Sequence, residues 1–343
     1  MTSYVRLGLF VLIFVALAGA GIAWGVHASG VVPSDLGVLW TLPGITLGGL
    51  VALCGGLYVA DMIRYRAFGA AVGERVTWRA ALDATVANFF FSWITPGSAL
   101  GAPAAIVMLG RRGVSWEGAT LVAFGKSLTG TAVLVGLAFG ALAAGLGPEL
   151  DRGALIVLVT GTGIFVAMLL VPIIGALWPQ RMLGGIARLE RFLGRRKMLS
   201  GPRATRAVTK LCATLGRAVE RLAKLREGSA ATPFVLLATH LLYLGVFVAI
   251  AVVLARAFGA ESLAHAIGIS TVYAAFTYVA PTPGGAGLSE AAATVFYGSI
   301  LPARDAVLVV LLFRALTFYL HIAIGVIYLG VVGGTRQILE TKR

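Results

Sequence analysis

Charge is what this sequence has least of. Of its 343 residues only 12% are Asp, Glu, Lys or Arg, against 59% hydrophobic, and mean hydropathy is +0.93. An ordinary soluble domain carries about 25% charged residues. Half that share leaves too little polar surface to coat a water-soluble globule of this size, and it also excludes a disordered chain or a collagen-like fibre. Acids are scarcer than bases, 14 against 28, for a net charge of +14. In so apolar a chain that excess points to loops meeting anionic headgroups rather than to nucleic acid, which is not an expected partner. Cysteine is nearly absent: Cys54 lies in an apolar run and Cys212 in a basic stretch, so neither a disulfide nor a thiolate metal site is expected. There is no metal-ligand spacing, no Gly-x-Ser-x-Gly elbow and no phosphate loop ending in Lys-Ser/Thr. No catalytic residue, metal or cofactor is therefore expected, and the chain does not read as an enzyme. Without an ATP-hydrolysing module, any transport would be passive, ion-coupled or partner-driven.

What the sequence has is length of apolar run. A spanning helix needs about 20 such residues. Residues 7–26, 37–60, 118–146, 153–177, 233–255 and 306–333 meet that length with at most one charge each, Lys126 in the third and Arg314 in the last. The first is longer than the apolar core of a signal peptide and reads as a span. Two further apolar regions are broken in the middle: 84–109 by Thr95-Pro96-Gly97-Ser98, and 266–301 by Pro281-Thr282-Pro283-Gly284-Gly285. Each half is too short to cross the ~30 Å hydrocarbon core. Pro removes a backbone donor and Gly permits a turn, so each region is predicted to be a re-entrant helical hairpin. The fold expected is an all-α polytopic membrane protein, one membrane domain over residues 1–343, with six full transmembrane helices and two re-entrant hairpins.

Loop charge sets the orientation. Residues 178–230 carry thirteen bases and three acids and are placed in the cytoplasm by the positive-inside rule. Helical spacing of Leu183, Ile186, Glu190 and Leu193, and of Leu211, Leu215, Val219, Leu222 and Leu225, reads either as basic amphipathic helices on the inner leaflet or as a plain linker. Working outward, residues 61–79 and Arg111-Arg112 fall inside, and residues 147–152 and 256–265 outside. The first hairpin then opens to the cytoplasm and the second to the outside, with both termini cytoplasmic in a bacterial-type inner membrane. The sequence leaves a homo-oligomer open.

The breaks also resemble one another. TPGSALGAPAA (95–105) aligns with TPGGAGLSEAA (282–292), and one residue later in register Glu117 aligns with Asp305, Lys126 with Arg314 and Thr129 with Thr317. With the hairpins opening to opposite sides, this is an inverted-topology repeat, 37–146 against 233–333, an architecture of many transporters.

TPGGAGLSEAA followed by LLFRALTFYL resembles the membrane domain of the lysylphosphatidylglycerol synthase/flippase family, which also occurs without its synthase half. The resemblance implies a polytopic domain that moves phospholipids between leaflets, and it carries over Pro283, Gly284, Gly285, Glu290 and Arg314. The family commonly has a Gly-Glu-Pro-x-Arg stretch where this chain has Gly101-Ala102-Pro103-Ala104-Ala105, and Glu-Arg where it has Gly125-Lys126. The first half-site is therefore expected to lack an acid and to matter less than the second. No synthase half follows the last span, so aminoacyl transfer is not expected of these residues.

The expected function is a phospholipid translocase or scramblase, with anionic or zwitterionic membrane phospholipids as partners. The alternative is a secondary transporter or channel for a small solute or ion on the same scaffold. Arg314 and Lys126 are candidate phosphate ligands, although snorkelling cations would have the same spacing. Glu290 reads as a helix N-terminal acid, an ion-pair partner for Arg314, a contact to a lipid amine or a proton-linked switch. Gly97, Ser98, Thr282, Pro283, Gly284, Gly285 and Ser289 form the half-helix N-termini, where free N–H groups suit a phosphate and the two serines are candidate caps. His321, seven residues beyond Arg314, is expected on the same helix face. It and His240 read either as packed histidines or as ligands.

Overall fold

The computed structural model describes residues 37–38, 41–95, 97–150, 152–195, 231–280, 282 and 284–340, with isolated positions between 209 and 220. The expected span at 7–26, the prolines 96, 281 and 283, and most of the basic stretch lie outside the described residues. Within them the regular structure is all helical.

Among the described residues twelve helices run in order: α1 Gly44–Ala71, α2 Trp78–Ile94, α3 Gly101–Arg111, α4 Trp116–Ala143, α5 Arg152–Leu177, α6 Pro179–Arg195, α7 Ala231–Ala257, α8 Leu263–Val279, α9 Leu288–Ala291, α10 Ala293–Tyr297, α11 Ala303–Arg314 and, after a π-helical turn at Ala315–Tyr319, α12 Leu320–Glu340. Polar caps start three of them: Thr77, Ser115 and Ser262 accept from the backbone N–H of Ala80, Gly118 and His265. Among the described residues four helices are long and apolar enough to cross a membrane: Gly44–Ala71, Trp116–Ala143, Ala231–Ala257 and Ala303–Gly330. The helix expected at 153–177 forms as Arg152–Leu177, and the amphipathic pattern after it forms α6.

The largest departure from the sequence-based expectation is α1. The apolar run stops at Ala60, but the helix continues to Ala71 and carries Asp61 and Arg64 with it, both buried. Nothing in residues 61–68 breaks a helix, and the two charges pair at i, i+3, which removes the reason to place them in a loop. At about 1.5 Å per residue this helix is long enough to hold them inside the bundle.

Both broken regions are helical hairpins. In the first, α2 and α3 return antiparallel: Asp83 at the base of α2 pairs with Arg112 at the end of α3. Near the tip, a Cβ on Gly101 would lie 1.9 Å from Ser92 Oγ and 3.0 Å from the Asn88 carbonyl oxygen, so the glycine lets the two limbs approach closely. In the second, α8 is paired by its return limb through Ser270 with Tyr297 and Thr277 with Ser289, and that limb is split into α9 and α10. The elements start and stop a few residues from the expected 84–109 and 266–301.

The hairpins enter the bundle from opposite ends. The start of α4 packs at the base of the first, where Trp116 lies against Gly110, and the chain just after α4 reaches the second near its base, with Leu146 against Gly268. The last helix runs between the same bases, from Ala303 to Tyr328, whose hydroxyl donates to Asp83. The tips meet in the middle. Trp93 packs edge-on against Tyr278 and Phe318, and its carbonyl lies beside Gly284. Helices α1 and α7 pack on each other, α4 packs on α8, and α12 packs on α2.

Candidate functional site

Two buried charge clusters flank the hairpin tips. The first is built on α1, α4 and α7. Asp61 accepts from Lys126 Nζ at 2.8 and 3.0 Å, from Arg64 Nη1 at 3.0 Å and from Thr85 Oγ1 at 3.1 Å. Arg64 also donates through Nε to His240 Nδ1 at 3.1 Å and through Nη2 to the Lys126 carbonyl. Both cations stack on aromatic faces, Arg64 on Tyr243 and Lys126 on Tyr65. A Cβ on Gly130 would lie 2.3 Å from Arg64 Nη2, so the glycine makes room for the guanidinium.

The network fixes the histidine. Thr129 Oγ1 donates to the Gly125 carbonyl, so toward His240 Nε2, 2.8 Å away, it accepts. His240 thus carries its proton on Nε2, leaves Nδ1 free for Arg64, and is neutral. Two cations and one carboxylate leave the cluster with one net positive charge.

This cluster faces a cavity of about 100 Å³. Asp61, Arg64 and Lys126 line it, with Asn88 and Ser92 from α2, Gly97 and Ser98 from the hairpin tip, Ser127 and Thr131 from α4, and Tyr243 and Tyr278. A second cavity of about 440 Å³ lies between α4, α7 and α8, and is apolar. Leu134 and Leu244 line both, so the two adjoin. Leu137, Leu241 and Ile267 on its wall are each more than 40% exposed, which puts this groove on the outer surface of the bundle.

The second cluster is closed. Arg314 Nε donates to Glu290 Oε1 at 2.9 Å, its Nη1 donates to the Gly284 carbonyl at 2.5 Å, and it lies over the Phe318 ring. Glu290 Oε2 accepts the Gly287 N–H. Both side chains are 1% exposed, and neither lines either cavity. Gly284 is a positive-φ residue whose Cβ would strike Phe318 at 2.2 Å.

Several expected site residues fall elsewhere. The first half-site does have an acid, Asp61, supplied by α1 rather than by the hairpin. The signal in the sequence was Asp61-x-x-Arg64 on an unbroken helical stretch. Ser98 lines the cavity but does not cap α3, whose N-cap is Leu100; Thr95 Oγ1 accepts that residue's N–H instead. Ser289 is buried against Thr277, and the N-cap of α9 is Gly287. The backbone donor expected at Gly285 is taken by Thr282 O, and that of Gly287 is taken by Glu290. Thr282 is half-buried at that turn, and Pro283 lies outside the described residues. His321 does not share a face with Arg314. The π-turn between them adds residues to one turn and rotates the rest of the helix, so His321 stacks on Tyr58 and meets Phe89 edge-on.

The two clusters are linked through rings: Arg314 on Phe318, Phe318 on Trp93, Trp93 on Tyr278, the Tyr278 hydroxyl 3.4 Å from that of Tyr243, and Tyr243 under Arg64.

Compared with known proteins, the chain matches the family described as lysylphosphatidylglycerol synthase TM region over residues 5–325. Neither a curated protein nor a solved structure gave a match.

Proposed function

Since the chain belongs to the lysylphosphatidylglycerol synthase TM-region family and is an integral membrane protein, we propose that it is a phospholipid translocase that passes headgroups between leaflets through the cavity at Asp61, Arg64 and Lys126. The observation that carries this reading is the junction of a small cationic cavity with an apolar groove on the bundle surface. A headgroup phosphate suits Arg64 and Lys126. One acyl chain suits the groove, which begins at the same Leu134 and Leu244 that close the cavity. An aqueous solute has no use for an apolar groove facing lipid.

The scaffold supports it. The hairpins are re-entrant, the first from the cytoplasmic side and the second from the outside, and the two halves form an inverted repeat. Exchanging the halves maps the α4–α8 packing onto α12–α2 and leaves α1–α7 on itself, as a two-fold in the membrane plane requires. Arg66, Arg75, Arg79, Arg111 and Arg112 gather at the base of the first hairpin, which favours the cytoplasmic side there. The Arg314–Glu290 cluster is then the half-site that is shut while the Lys126 half-site is open.

Purified protein in vesicles carrying a fluorescent phospholipid tests this. The expected result is faster access of an external quencher to inner-leaflet probe than in protein-free vesicles. Leu134→Trp, which fills the junction, should slow it by roughly tenfold, as a barrier higher by ~1.4 kcal/mol would. Uptake of a soluble solute with no lipid movement would instead make the chain a solute carrier.

A further inference from the structure

The charge count of the open site sets what it can carry and what drives it. Asp61, Arg64 and Lys126 are buried together, their mutual ion pairs are 2.8–3.0 Å, and His240 is held neutral by its two hydrogen bonds. The other rings facing the cluster, Tyr65, Tyr243 and Tyr278, are neutral phenols. The closed cluster, Glu290 with Arg314, sums to zero. The remaining buried carboxylate among the described residues, Asp83, is paired with Arg112 at the base of the first hairpin, away from the cavity. The open cluster thus holds one uncompensated positive charge, and it borders the cavity. A charge in such surroundings favours a ligand that cancels it.

We infer that the headgroup carried is monoanionic, and that it crosses without a co-ion, so that each passage moves one negative charge and an interior-negative membrane potential drives it outward. This rests on the translocase reading above. A lipid with one phosphodiester charge and no amine brings the cluster to neutrality. A zwitterionic headgroup brings no net charge and leaves the positive charge uncompensated. A lysylated phosphatidylglycerol, with two ammonium groups and one phosphate, adds a further positive charge to a positive site. A proton or sodium ion entering with a monoanion would restore the very imbalance that the monoanion removes. The lipid's charge therefore crosses the field alone. For one charge across the whole membrane, 100 mV shifts the equilibrium between leaflets by about 50-fold.

The test uses the full chain in vesicles with a potassium diffusion potential set by valinomycin and with separately imposed pH and sodium gradients. Fluorescent phosphatidylglycerol, phosphatidylethanolamine and lysylated phosphatidylglycerol are the probes. The expected result is that phosphatidylglycerol moves fastest, accumulates in the outer leaflet when the interior is negative, reverses when the polarity is reversed, and ignores the pH and sodium gradients. Lys126→Gln, which takes the net charge of the site to zero, should bring the rates for phosphatidylglycerol and phosphatidylethanolamine together. Equal rates for the three lipids with the native chain, or accumulation that follows a pH or sodium gradient and not voltage, would overturn the inference while leaving translocation itself standing. No movement of any lipid would overturn both. The voltage and headgroup comparisons need only the native protein, so poor folding of the variant does not decide the matter.

Discussion

Asp61→Ala is expected to be the most damaging single truncation in the protein. It removes the carboxylate that Lys126 and Arg64 share and leaves two cations facing each other inside the bundle, each no more than 6% exposed. Breaking a buried pair by deleting one partner costs about 3–5 kcal/mol, and here one deletion breaks two pairs. Thermal melts in detergent should show a large drop in the unfolding midpoint, and Asp61→Ala with Lys126→Met should recover part of it because one orphaned cation has gone with its partner. Asp61→Asn keeps the shape and raises the net charge of the site by one. An anionic headgroup should then bind more tightly and cross more slowly. A chain with Asp61→Ala as stable as the native one would mean that Asp61 is not the carboxylate holding the two cations.

The second large effect is at Glu290 and Arg314, where stability and transport should separate. Glu290→Ala strands Arg314 in a site that is 1% exposed and also frees the Gly287 N–H, at a cost of about 3–5 kcal/mol. Glu290→Leu with Arg314→Met removes both charges together, and a buried pair replaced by apolar residues of similar size is often neutral or stabilising. The double variant should therefore melt close to the native chain. On the proposed translocase reading it should nonetheless lose lipid movement, since the shut half-site would have no cation left to receive a phosphate on opening. Native flux in a stable double variant would make the pair a clamp on the hairpin tip and nothing more.

The sequence showed these two sites unequally. The second was legible because its parts are local: Glu290 lies in the first turn after a Pro-Gly break, and Arg314 is an isolated cation in an apolar helix, so burial alone required that they meet. The first was half hidden. Lys126 was visible for the same reason, but its acid comes from a helix 65 residues earlier, at a position where the apolar run has ended and charge begins. Run length marks where a helix can lie in lipid, not where it ends, so a charge pair inside the bundle reads as loop. The hairpins were legible from their breaks, and their antiparallel pairing comes from two short limbs joined by a turn. The position of His321 was not legible, because a π-turn leaves no periodic trace: residues 315–319 fit an α-helix equally well on paper. Nor was the groove, which is a gap between α4, α7 and α8 and belongs to no single segment.

The decisive question is whether a lipid lies with its headgroup at Lys126 and a chain between α4, α7 and α8. Photo-crosslinking with two probes reads this directly: one phospholipid carrying a diazirine near its phosphate, the other carrying it midway along an acyl chain, each resolved by mass spectrometry of the labelled peptides. The headgroup probe should label the cavity wall around Ser98 and Ser127, and the chain probe should label the groove around Leu137, Val248 and Ile267. Labelling by both probes spread over the outer faces of the helices, with the cavity untouched, would contradict that placement.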